Sequence, residues 1–186
     1  MRILATALLI MLAQPAFAHT GTGLHWHGWE DGMLHPISGV DHLLAMIAVG
    51  LWAAYLGGSA RWALPIAFLV AMIVGGVLGH AGISFPALEL FILASIMALG
   101  AVLAFGFTLS ASLGAAFCAA FALAHGMAHG AEMPADAAGL AYGLGFVTAT
   151  ALLHAAGLSA GRFGPNALRI AGAMIALIGV GLFAFL

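Results

Sequence analysis

Lysine is missing from this sequence altogether, and charge of either sign is scarce: four arginines and six acids are spread over 186 residues. With a net charge of −2 the chain has no basic surface for a nucleic-acid backbone. Charged residues make up 5% of the chain, against about a quarter in soluble globular proteins. Ten such side chains, four plus six, cannot coat a water-facing exterior, whereas 65% of the residues are apolar. Lipid is therefore the expected solvent for most of the surface. Cysteine is nearly missing too. The single Cys118 lies in an apolar run, which excludes a disulfide framework and a Cys-based zinc site. Against these absences stand nine histidines, almost as many as all charged residues together.

The first eighteen residues read as a cleavable signal peptide. Arg2 opens it, Ile3 to Leu12 form its apolar core, and Ala16-Phe17-Ala18 supplies the cleavage pattern. Residues 19–37 (HTGTGLHWHGWEDGMLH and two more) form a polar, histidine-rich arm on the periplasmic side. Residues 38–186 then hold six apolar stretches, near 38–56, 62–79, 87–107, 110–131, 135–158 and 166–186, each able to span a hydrocarbon core of about 30 Å. The expectation is an all-α integral membrane protein, a bundle of six transmembrane helices. With the mature N-terminus periplasmic, Arg61, Arg162 and Arg169 all fall on the cytoplasmic side, while Glu30, Asp31, Glu132 and Asp136 fall outside. That distribution obeys the positive-inside rule and points to a bacterial inner membrane. Glycine pairs at helical spacing, Gly75/Gly79, Gly126/Gly130, Gly139/Gly143 and Gly157/Gly161, allow close helix approach.

Ionisable groups inside a bilayer are costly, so each needs a partner or a purpose. One cluster opens the first span, His35-Pro36-Ile37-Ser38-Gly39-Val40-Asp41-His42-Leu43-Leu44-Ala45-Met46. His42 and Met46 share a helix face at i, i+4, Asp41 lies beside that face, and His35 can fold back over it. Imidazole, carboxylate and thioether together suit a late first-row metal such as nickel, cobalt or copper. Ser38-x-x-Asp41 also fits a capping box, an alternative role for that carboxylate. A second cluster lies near the outer end of the fourth span, where His125 and His129 share a face and Glu132 follows. His80 and Glu89 fall on the same side of the membrane and are further candidates, although both also suit helix-end electrostatics. His154 falls toward the cytoplasmic end of span five and reads more as a packed core histidine than as an exit ligand. In the arm, the free amine and ring of His19 could chelate a metal together after cleavage, with His25 and His27 downstream; the alternative is a flexible interfacial arm whose histidines are incidental.

The first cluster resembles the signature of the HupE/UreJ family of nickel/cobalt permeases, which reads HP, a short gap, then G-x-DH-x-x-AM at the start of the first mature span. His125-Gly-Met-Ala-His129-Gly-Ala-Glu132 resembles that family's histidine-rich motif in its fourth span. By this resemblance the chain would be a permease, not an enzyme, without a resident cofactor, importing Ni²⁺ first and Co²⁺ second. His35, Asp41 and His42 match the first motif, and His125, His129 and Glu132 the second. The family's second motif often carries another histidine where this chain has Met127, and a thioether tilts a site toward softer ions such as Cu(I). Rival readings are a copper transporter, a membrane metal-binding protein, a haem-binding cytochrome and a histidine-box metalloenzyme. The last counts against itself, because its histidines belong at the cytoplasmic face. A homo-oligomer stays open.

Overall fold

The computed structural model describes residues 28–133 and 136–184, and every regular element among them is helical. The helices are α1 (Trp29–Ser38), α2 (Val40–Leu56), α3 (Ala60–His80), α4 (Leu88–Ala104), α5 (Ala111–Glu132), α6 (Ala137–Ser159) and α7 (Gly164–Phe183), with a 3-10 turn at Ala160–Phe163. The bounds of α2 to α7 fall within a few residues of the six apolar stretches. The expected signal peptide and His19, His25 and His27 lie outside the described residues. Three stretches are long and apolar enough to cross a membrane, Ala60–His80, Ala111–Glu132 and Ala138–Phe183, and α1 with α2 would make a fourth, bent by 84°.

Polarity is arranged as lipid solvent requires. Leu140, Leu144 and Leu152 on α6, Ile66, Val70 and Val77 on α3, and Ile170, Met174 and Leu177 on α7 are all exposed at helical spacing. The buried faces instead carry small residues and a few polar ones, Ser95, His125, His129, Thr150 and His154. α2 is the axis, packed by α3, α4, α6 and α7, with Ala45, Met46, Val49 and Trp52 fully buried.

Direction alternates along the chain. Trp52 Nε1 donates to the Phe107 carbonyl at 3.3 Å and Tyr55 to that of Gly106 at 3.3 Å, so α2 and α4 end together. These donors also satisfy carbonyls just past the end of α4, which a lipid environment would otherwise leave unpaired. Arg169, near the start of α7, donates to the Ala104 carbonyl at 3.0 Å, while Gly179 packs on Met97, so α7 runs against α4. Met46 meets Thr150 and Gly50 meets Gly157, so α6 runs with α2. Ala138–Phe183 therefore reverses at the 3-10 turn and is two helices rather than one rod. Arg61, Arg162 and Arg169 gather at one end of the bundle. His35, Asp41 and Glu132 gather at the other.

Close approach is built from glycine. Gly75 and Gly79 on α3 abut the backbone of Leu123 and Met127, and Gly126 and Gly130 on α5 abut that of Met72 and Gly76. Any Cβ at these four positions would collide with a carbonyl group. Gly157 likewise meets Gly50 and Ile47. Gly143 makes no such approach, its nearest neighbour being the Met133 sulfur at 3.5 Å.

Two expectations are corrected. The exposed arm was expected to run to residue 37, but Trp29–Ser38 form a helix docked on α6, where Gly32 is buried against Tyr142. A ten-residue helix is marginal alone, and this docking supplies what its sequence lacks. The Ser38–Asp41 capping box does not form. Gly39 is the N-cap of α2 without a side-chain bond, and Ser38 donates to the His35 carbonyl at 2.8 Å.

Candidate metal site

Extended backbone at Gly39 separates α1 from α2 and turns the chain through 84°. That bend lays the His35 ring over the start of α2, 6.2 Å from the His42 ring, and 4.7 Å from the His129 ring of α5. The same glycine leaves room for the next contact, because a Cβ there would stand 2.8 Å from both the Asp41 carboxylate and His42 Nδ1.

Two groups of donors result. His42, His125 and His129 each place one ligand atom within 4.8 Å of the others. His35, His129 and Glu132 do the same nearer the surface, with Glu132 exposed and His35 half-buried. His129 belongs to both. The two groups thus form a graded series of donors: a carboxylate and an imidazole nearer the surface, one shared imidazole, then two more inside.

Hydrogen bonding fixes which ring nitrogens are available. Asp41 Oδ1 accepts from His42 Nδ1 at 2.7 Å and from the His42 backbone N–H at 2.9 Å. The ring proton of His42 is therefore on Nδ1, and the lone pair on Nε2 has no partner. Ser95 spends its single proton on the Ile92 carbonyl at 2.6 Å, so its oxygen accepts from His125 Nε2 at 2.9 Å. His125 then keeps an unpartnered lone pair on Nδ1. Neither nitrogen of His129 has a partner. A buried polar atom without a partner is uncommon and costs stability. Three such imidazoles side by side could hold a late first-row divalent ion, with Asp41 and Ser95 placed where outer partners would orient such ligands.

The other candidates are placed elsewhere. Met46 sits one turn deeper than His42, its sulfur accepting the Thr150 hydroxyl at 3.3 Å. Glu89, in the first turn of α4, and His80, at the end of α3, are exposed and join neither group. Asp41 lies behind His42 instead of among the donors of either group.

Ser95 and Gly39 carry roles that motif reading did not assign. The signal for Ser95 is a lone hydroxyl in the apolar run Leu90 to Leu99, and its value appears only when α4 meets α5. Ser95→Ala is expected to free the His125 ring and lower divalent-metal affinity by about 10- to 100-fold, the usual cost of an outer-shell partner. Equilibrium dialysis of the purified variant, with circular dichroism to confirm helicity, checks this.

Comparison with known proteins adds two findings. The family model described as HupE / UreJ protein matches residues 7–182. A curated relative, Protein HupE of Rhizobium leguminosarum bv. viciae, is 41% identical over 182 residues, covering 95% of each chain. No solved structure matches.

Proposed function

This chain belongs to the HupE/UreJ family, a family of nickel/cobalt transport proteins, and from that premise we propose that it imports Ni²⁺, with Co²⁺ as the second substrate, across a bacterial inner membrane. The observation that carries the reading is the group of His42, His125 and His129, whose unpartnered ring nitrogens are buried, sharing His129 with a mouth group that holds Glu132. A hydrated divalent ion sheds water stepwise on such a path. The mouth carboxylate offsets charge while each imidazole replaces a water. Two overlapping incomplete sets also favour onward movement, because conduction needs sites that hold an ion without trapping it.

Six membrane passes fit the alternating helix directions. α2 and α4 have 17 residues each, roughly 25 Å of helix, so their flanking turns complete the crossing. The arginine end is assigned to the cytoplasm and the histidine end to the periplasm, in keeping with the positive-inside rule. The lipid bilayer and the metal ion are the partners this arrangement requires.

Uptake of radiolabelled nickel by cells expressing the protein, beside cells expressing His42→Ala at equal membrane abundance, tests the proposal. Accumulation is expected with the parent chain and should fall to background in the variant. Nickel bound by the purified protein but never accumulated by cells would make it a membrane metal-binding protein instead. Accumulation of copper in place of nickel would reassign the substrate.

A further inference from the structure

One helical turn below the histidine group, three helices bring together polar atoms that the transport site does not use. Met46 of α2, Met72 of α3, and Thr150 and His154 of α6 are all buried. Thr148, on the same helix, returns its hydroxyl to the Leu144 carbonyl at 2.8 Å, as a threonine in a membrane helix ordinarily does. Thr150 does not. Its hydroxyl reaches across the bundle to the Met46 sulfur at 3.3 Å and lies 3.8 Å from the Met72 sulfur. Sulfur is a weak acceptor, so these contacts are poor reasons to give up a backbone bond.

His154 adds the second observation. Its Nδ1 donates to the Met46 carbonyl at 2.7 Å, which fixes the tautomer and leaves the Nε2 lone pair buried without a partner. Between this group and the outer one stands Phe68, fully buried. Its ring is 5.0 Å from that of His154, edge to face, and 6.0 Å from that of His125.

We propose that Met46, Met72, Thr150 and His154 form a second, weaker metal station, reached from the outer histidines past the Phe68 ring. The proposal rests on the transport reading above and extends it inward. The donors are one imidazole, two thioethers and a hydroxyl, with no carboxylate. Such a set accepts a late first-row ion and holds a divalent one loosely, because nothing in it offsets the charge. Loose holding is what the station before release requires. A soft monovalent ion such as Cu⁺ would bind it more tightly than Ni²⁺ does.

The test uses the full chain in lipid nanodiscs, with ⁶³Ni²⁺ binding followed by equilibrium dialysis for the parent, His42→Ala and His154→Asn. Asparagine keeps an N–H donor near the position of Nδ1 and removes Nε2. The parent is expected to bind nickel in two classes. His154→Asn should lose the weaker class and keep the tighter one unchanged, while His42→Ala should do the reverse. Nickel uptake by His154→Asn should fall about tenfold, as for loss of one supporting ligand. X-ray absorption of nickel-loaded His42→Ala should show sulfur neighbours that diminish when Met72→Leu is added, a readout independent of whether His154→Asn folds. Two unchanged classes in a folded His154→Asn, or nickel in His42→Ala without sulfur neighbours, overturns the inner station and leaves the outer site standing. Nickel binding by none of the proteins overturns both.

Discussion

Alanine in place of His129 is expected to reduce nickel uptake to background, with metal affinity lost by more than ~100-fold, beyond the usual cost of an outer-shell partner. The reason is that His129 is the one residue common to both donor groups. Its removal leaves His35 and Glu132 at the mouth and His42 and His125 inside, two half-sites with no imidazole between them. His35→Ala or Glu132→Ala should be milder, since each thins only the mouth group. The helices should tolerate the change, because the His129 ring donates and accepts no hydrogen bond in the fold. Its ring contacts among the described residues are with His35, His42 and Phe146. Uptake in whole cells, with the amount of inserted protein measured beside it, decides the matter. Retention of more than a tenth of parental uptake would count against His129 as the shared ligand.

A methyl group added at Gly75 should do comparable damage by another route. The Cβ of alanine there would collide with the Leu123 carbonyl group of α5, and a backbone carbonyl cannot swing aside as a side chain can. α3 and α5 must then separate along the whole seam that Gly75, Gly79, Gly126 and Gly130 close. Overpacking a well-fitted interior costs about 1–3 kcal/mol, and a backbone collision belongs at the upper end of that range or above it. In lipid the loss is not softened, because helix association there depends on van der Waals fit more than on water exclusion. Gly75→Ala is therefore expected to melt several degrees lower in detergent and to bind metal poorly, since the seam also sets where His125 and His129 stand. Gly181→Ala on α7 is the matched control. A Cβ there meets nothing within 4 Å, so alanine should be neutral or add about 0.5–1 kcal/mol. Equal melting temperatures for the two variants would refute the seam argument.

Much of this architecture is written locally and so is legible without coordinates. Six runs of apolar residues become six helices because a stretch buried in lipid must satisfy its own backbone, and a helix does so within itself. The arginines Arg61, Arg162 and Arg169 fall in alternate connections or beside them, and so share an end once the helices alternate. His125 and His129 share a face by spacing alone. The glycine pairs Gly75/Gly79 and Gly126/Gly130 announce a close seam, although nothing in the sequence says that they meet each other while Gly143 meets only Met133.

What spacing cannot reach is any fact that joins residues far apart in the chain. α1 is too short and polar to be read as a helix, and it exists because Gly32 fits against Tyr142 more than a hundred residues later. Its bend at Gly39 then places His35 over His129. Shared helical phase suggested that His42 and Met46 act together, but the bundle separates them. His42 turns to Asp41 and the outer group, while Met46 turns to Thr150 and the inner one. Glu89 and His80 lie at the same end of the bundle as the histidines and still join neither group, because depth is one coordinate and a ligand needs three. The choice of lone pair on His125 depends on Ser95, thirty residues away on another helix. Composition and periodicity thus settled the solvent, the helices and their polarity, since each of these is a sum over neighbours in sequence. Which donors come together was decided by tertiary packing, since a donor set is a matter of distances between helices, and those distances depend on which glycine seams meet and on buried hydrogen bonds between helices, neither of which a local pattern encodes.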